Sequence, residues 1–336
     1  MLPALAVADA LTRRGVHVTF AGSPDRVEAR LVPEAGYELD TFRISGLPRR
    51  PSIALARAAL LAGAAPLACR RILKRRRPHV VLGGGGFVAG PMVFAASRLR
   101  LPTALTEADA HFGLANRLAA PFARRIFLAY PIETRYGARV RVVGRPIPVR
   151  SRPMPQREAR ELLGLPAGRT LGVFGALAGA RALNEFAADT WGAAGPPIVH
   201  VTGRRDFDLV RQRVEREDYR VLPETQSFGA VLSAADLVLA RSGSSVWEVA
   251  AAARPAIFVP YPFATGDHQA ANAQHFVEAG GAIMVREAEL GHARELVETL
   301  LVDGERLARM GEAMKRVARP DAADEIADEL VALADG

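Results

Sequence analysis

Apolar residues recur along this chain in two alternating patterns. Short runs such as Val80-Val81-Leu82, Leu237 to Ala240 and Ala256 to Pro260 are too brief for buried helices and abut Gly, Asp or Pro, so they read as strands covered on both faces. Between them lie longer stretches with apolar residues three and four apart, the spacing of amphipathic helices. The first half predicts a helix over 2–14 closed by Gly15, a strand over 17–22, and a helix over 24–35 opened by Ser23. A strand over 37–44, a long helix over 53–77, and then strands over 80–82, 103–106 and 125–128 follow, with helices over 87–99 and 113–120. Residues 145–156 break the rhythm, because Pro146, Pro148, Pro153 and Pro155 fall there without periodicity; this is the expected linker. The pattern then restarts, with strands over 170–175, 198–202, 220–222, 237–240, 256–260 and 282–285, and ends in an acidic amphipathic helix over 320–334.

This order predicts an α/β chain of two doubly wound, Rossmann-like domains facing a cleft, residues 1–147 and 148–336, with the last helix free to cross back. A length of 336 residues suits two cores better than one. Ligands of such sheets sit at the carboxyl ends of the strands.

Composition narrows the partners. With 49% hydrophobic and 24% charged residues the chain is globular, and a single cysteine, Cys69, rules out an internal disulfide. A net charge of +8 favours an anionic partner: nucleic acid, a membrane surface or a phosphorylated substrate. Aromatic residues are only 6% and do not interleave with basic ones, so no nucleic-acid partner is expected. Arg70, Arg71, Lys74, Arg75, Arg76 and Arg77 crowd the end of an apolar stretch starting at Ser52. Arg57, Gly63 and Pro66 make that stretch a poor membrane span; it reads either as an interfacial segment on anionic lipid over 52–77 or as a core helix with a solvated basic end. The first ten residues lack a basic n-region and include Asp9, so the expected location is cytoplasmic.

Candidate chemistry gathers at turns after strands. Gly83-Gly84-Gly85-Gly86 precedes a helix and lets amides face an anion, although any tight corner wants glycine. Gly175 to Ala180 is a second such corner. The third, Arg241-Ser242-Gly243-Ser244-Ser245-Val246-Trp247-Glu248, offers amides and hydroxyls to a diphosphate and a carboxylate to paired hydroxyls, or else a plain N-capped helix. Asp267, His268, Gln269 and Asn272 follow the next strand. Asp206-Phe207-Asp208 has the spacing of a metal-diphosphate motif, yet it sits at a helix start where acids serve as caps. No metal site is expected.

Taken in order, Ser242-Gly243 to Glu248, Phe258-Val259-Pro260-Tyr261 and Asp267-His268-Gln269 to Asn272-Ala273 resemble the nucleotide-sugar half of MurG-type glycosyltransferases. Arg43-Ile44-Ser45-Gly46, Val81 to Pro91 and Gly113-Leu114-Ala115-Asn116-Arg117 resemble the other half. The resemblance implies a GT-B fold and an inverting, metal-free and cofactor-free transfer of N-acetylglucosamine from its UDP donor to undecaprenyl-diphosphoryl-MurNAc-pentapeptide, on the cytoplasmic face of the membrane. It implies donor contacts from Arg145, Leu177, Ser242, Gly243, Ser244, Ser245, Val246, Glu248, His268 and Gln269. Acceptor contacts are implied for Gly84, Gly85, Gly86, Asp109 and Asn116. Another GT-B activity (a glycolipid synthase or UDP-sugar hydrolase) and a non-catalytic UDP-sugar-binding protein remain as alternatives.

The chain departs from the family pattern at Thr106, Ala108 and Asp109, at Leu177 and Ala178, and at Pro148. Its opening helix follows directly on Met1, where a βαβ unit has a strand and tight loop. The resemblance puts a Gly-rich loop with a proposed catalytic histidine there, so the expectation is a misplaced start with that loop encoded upstream. Glu107 and Asp109 are then assistants at most, with His111 a further candidate on the same segment.

Overall fold

The computed structural model describes residues 1–44, 53–175 and 179–336. The chain divides into two compact units, Met1–Pro148 with Pro320–Gly336, and Val149–Arg319.

The first unit runs α1 (Leu2–Arg13), β1 (Thr19–Gly22), α2 (Glu28–Glu34), β2 (Glu38–Thr41), α3 (Ile53–Arg76), β3 (Val81–Gly83), α4 (Gly86–Arg98), β4 (Thr103–Glu107), α5 (Leu114–Ala119), β5 (Arg125–Leu128) and β6 (Val140–Val142). The second contains α6 (Gln156–Leu163), β7 (Leu171–Phe174), α7 (Arg181–Trp191), β8 (Ile198–Val201), α8 (Phe207–Arg211), β9 (Tyr219–Leu222), α9 (Phe228–Ala234), β10 (Leu237–Ala240), α10 (Val246–Ala251), β11 (Ala256–Phe258), α11 (His268–Glu278), β12 (Ala282–Met284), α12 (Leu290–Val302) and α13 (Gly304–Val317). The chain then returns to the first unit as α14 (Ala322–Asp335).

Every strand pairing is parallel, as the unbroken apolar runs predict. In the first unit the strands form two ladders rather than one: β1 with β2, and β3-β4-β5-β6. Packing still joins them. Ala21 of β1 shares a cluster with Val81, Cys69 and Met92, while Val18 shares another with Leu82, Phe127 and the helices α1 and α14. The apolar face of α1 is covered by α14, since Ala6, Val7, Ala10 and Leu11 pack with Ala323, Ile326, Ala327 and Leu330. Arg14 adds ion pairs to Asp324 and Asp328 at the rim.

Two local expectations change. The helix read from Pro24 starts at Glu28, because the Glu28 carboxylate turns back to accept the Ser23 amide at 3.1 Å and Ser23 Oγ accepts the Asp25 amide instead of capping a helix. The basic end of α3 is partly neutralised, since Asp40 of β2 accepts from Arg75 and Arg76, and Glu38 pairs with Arg76.

In the second unit the strand order is β9-β8-β7-β10-β11-β12. β7 and β10 lie at its centre with every residue buried. Leu171, Val173, Leu237 and Leu239 pack with Leu183, Ala187 and Trp191 on one face.

Candidate functional site

Numbered within its own unit, the second sheet has the order 3-2-1-4-5-6, and the direction of winding reverses between β7 and β10. Chains leaving these two strands turn to opposite faces and open a crevice at their carboxyl ends, which is where open α/β sheets bind ligands. Gly175 leaves β7 there; Leu177 and Ala178 lie outside the described residues. From β10 comes the Arg241–Ser245 turn, followed by α10.

That turn is held from beneath. Asn272 of α11, fully buried, donates to the Ser242 carbonyl at 3.4 Å. Arg241 is buried and donates to the Val259 and Pro260 carbonyls at 3.2 and 3.1 Å, pairs with the Glu287 carboxylate, and stacks its guanidinium over Tyr261. One arginine thereby ties together the segments leaving β10, β11 and β12. The Tyr261 amide in turn donates to Gln269 Oε1 at 3.0 Å, which directs the Gln269 amide nitrogen toward Gly243. Gly243, Ser245, Glu248, His268 and Gln269 are half-buried and Ser244 is exposed, so all six reach solvent around the turn.

The side chains of Ser242 and Val246 are wholly buried, so these two residues present their backbone to the crevice, and Ser242 Oγ has no partner. Ser245 stands at the N-cap of α10 without a side-chain capping bond. The sequence reading passed over Arg241. Its signal was there, a charged residue directly after a fully apolar strand, in a place where burial demands partners.

The Asp206-Phe207-Asp208 segment makes no side-chain cap to α8. The Asp206 carboxylate is buried, accepts from Asn184 Nδ2 at 3.0 Å and is bound by Arg205, whose hydrogen bond holds it below the usual carboxylate range. Asn184 also donates to the Thr202 carbonyl and accepts from His200, an imidazole that burial pushes down to about 3.

In the first unit the glycine turn after β3 needs its glycines. Gly85 and Gly86 take φ of +85° and +69°, the left-handed region that side chains disfavour, and α4 begins at Gly86. Gly84 and Gly86 are exposed and Gly85 half-buried. Against this turn lie Thr106 and Asn116. Asn116 is 3% exposed, with its side chain turned inward onto β4. Glu107 is likewise buried, with both oxygens accepting from protein donors. Asp109 is half-buried and His111 exposed on the following loop, and Arg145 is half-buried. The Arg43–Gly46 motif runs into residues outside the described ones.

Comparison with known proteins bears on the whole arrangement. Models of the glycosyltransferase family 28 N-terminal and C-terminal domains match residues 1–128 and 170–326. A relative from Acidithiobacillus ferrooxidans, named UDP-N-acetylglucosamine--N-acetylmuramyl-(pentapeptide) pyrophosphoryl-undecaprenol N-acetylglucosamine transferase, is 41% identical over 350 residues, covering 100% of this chain and 95% of its own. The chain belongs to the MurG type of glycosyltransferase family 28. A Halothermothrix orenii protein of the same name is 35% identical over 95% of this chain and 91% of its own. The crystal structure of Acinetobacter baumannii MurG superposes with a TM-score of 0.78 at 26% identity, covering 98% of this chain and 95% of that one. The MurG-type chain therefore has the GT-B fold, with two α/β units built on parallel sheets, and is a glycosyltransferase.

Proposed function

We propose that this enzyme transfers N-acetylglucosamine from UDP-N-acetylglucosamine to the lipid-linked N-acetylmuramyl-pentapeptide diphosphate, giving the disaccharide precursor of peptidoglycan, lipid II. The observation that carries this is the buried support of the Arg241–Glu248 turn at the winding reversal, in a chain that matches transferases of that name end to end.

The donor would lie on the second unit. Backbone amides of Ser242 to Val246, with the Ser244 and Ser245 hydroxyls, face its diphosphate; the Glu248 carboxylate accepts from the paired ribose hydroxyls; His268 and Gln269 read the sugar. Arg145 and Leu177 are further proposed donor contacts. Gly84, Gly85, Gly86 and Asp109 form the acceptor side in the first unit. The acceptor hydroxyl oxygen bonds to the anomeric carbon from the face opposite UDP, the bond to the diphosphate breaks with its electron pair, and UDP leaves. The hydroxyl proton goes to a base, a role that Glu107 is not placed to fill because four protein donors surround its carboxylate.

The transfer is read as independent of a resident metal or cofactor, with arginine and amides offsetting the diphosphate charge; activity surviving a chelator would support that. We also propose a peripheral seat on the cytoplasmic face of the membrane. No helix among the described residues is long and apolar enough to cross a bilayer. The outward face of α3 carries exposed Leu67 next to exposed Arg70, Arg71 and Lys74, apolar surface with a cationic fringe.

The deciding experiment is transfer of labelled N-acetylglucosamine from UDP to the lipid-linked acceptor by the purified chain. Product dependent on that acceptor supports the reading. UDP released without it, or UDP-sugar bound and never consumed, would replace it with a hydrolase or a binding protein.

A further inference from the structure

Glu107 ends β4 and is 8% exposed. Oε1 accepts the amides of Ala108 and Asp109 at 2.9 and 3.3 Å; Oε2 accepts the Gly113 amide and Asn116 Nδ2, both at 2.9 Å. A carboxylate has about four lone-pair sites, and all are taken. Asn116, on the inner face of α5, uses the same nitrogen to donate to the Thr106 carbonyl at 2.9 Å. Thr106 Oγ1 reaches the Gly83 carbonyl at 3.4 Å. A Cβ added to Gly85 would stand 3.6 Å from the Thr106 carbonyl and 3.8 Å from Asn116 Nδ2, so these two groups lie beside the glycine turn. Asn116 Oδ1 is buried with no partner, so Asn116 makes its bonds here through one nitrogen.

The β3–β4 ladder ends at Gly83 and Leu105, and beyond it Glu107 and Asn116 carry on the connection. The 108–113 loop leaves the end of β4, whereas the Gly84–Gly86 turn leaves the end of β3. We propose that Glu107 and Asn116 are positioning residues for the acceptor half of the reaction, fixing the 108–113 loop and the glycine turn in one register against a lipid-linked sugar diphosphate. This rests on the reading above that Gly84 to Gly86 and Asp109 meet that acceptor. Neither side chain touches the acceptor or carries its proton. The chemistry supports the assignment: four donors directed at one carboxylate fix the positions of the groups that carry them, and only a side chain without donors facing that cluster serves.

The test uses the full chain and Glu107→Gln, which keeps shape but turns an N–H pair toward protein donors, together with Asn116→Ser. Wild-type turnover with both substrates settles the underlying reading first, independently of either variant. The expected result for both variants is an acceptor KM raised about 10-fold or more and a kcat lowered up to about 100-fold, with the UDP-N-acetylglucosamine KM and calorimetric UDP affinity within about twofold. The pH profile of kcat/KM keeps both limbs. Loss of the acid limb in Glu107→Gln with an unchanged acceptor KM would make Glu107 a proton acceptor and overturn the proposal. Equal changes in both KM values tracking a lowered melting temperature would also overturn it, as would wild-type kinetics in both variants.

Discussion

His200 Nε2 donates to Asn184 Oδ1 at 2.9 Å, and this bond fixes the charge of an imidazole with no exposed surface. Asn184 Nδ2 already donates to the Thr202 carbonyl and to Asp206, so its oxygen must accept. The proton therefore sits on Nε2, and Nδ1 accepts from the Tyr219 hydroxyl at 2.9 Å. Burial holds the group neutral, since a second proton would place a charge where no water reaches it.

Acid should act on the second unit through this histidine. His200 has its pKa lowered from 6.5 to about 3, so the unfolded chain binds more protons between those values. Its contribution is fully present above pH 6.5 and is lost as pH falls toward 3, at up to about 1.4 kcal/mol per pH unit. His275, also lowered by burial, adds slope of the same sign. Urea unfolding between pH 7 and pH 4.5 should show this slope in the wild type and a shallower one in His200→Gln.

Arg241→Lys should weaken both fold and donor binding. A lysine cannot fork to two carbonyls and a carboxylate together, so Glu287 loses a buried partner. A loss of about 3 kcal/mol in unfolding free energy is expected, of the size seen for broken buried pairs. Tyr261 and Gln269 lose their support with it, and the UDP-N-acetylglucosamine KM should rise while that of the acceptor holds.

Glu248→Gln should raise the UDP-N-acetylglucosamine KM about 10-fold or more, because a charge-assisted pair of hydrogen bonds becomes a neutral one. Glu248 is half-buried one turn into α10, beside the Arg241–Ser245 turn. An unchanged KM would remove Glu248 from the donor site.

On vesicles containing anionic lipid, Leu67→Glu and the Arg70→Glu, Lys74→Glu pair should each reduce sedimentation with lipid, and salt should reduce the wild type likewise. Arg76→Ala should behave differently. Its guanidinium is held by Asp40 and Glu38, so it should lower the melting temperature and leave vesicle binding nearly intact.

Strands were the most legible part of the sequence. Leu171–Phe174 and Leu237–Ala240 are apolar at every position because both faces are covered, and burial of that kind writes itself into composition. Helix starts were less so: nothing in Pro24-Asp25 foretells that the Glu28 carboxylate folds back on Ser23. The Arg241–Glu248 turn and the polar cluster at Asp267 to Asn272 were visible as motifs, but which members face inward was not. Ser242 looks no different on paper from Ser244. The setting of Glu107 was hidden for a related reason, since three of its four donors are backbone amides, present at nearly every residue and brought together only by the turn of the chain.

The return of α14 to the first unit makes that unit discontinuous in the chain. During synthesis, α1 emerges early with Ala6, Val7, Ala10 and Leu11 uncovered, and its cover is among the last residues made. Residues 149–319 intervene, roughly 10–30 s of translation at ribosomal rates. The second unit, continuous in sequence, can close on the nascent chain while the first still waits for its final helix. The core of the first unit can therefore be completed only after every residue of the second has been made.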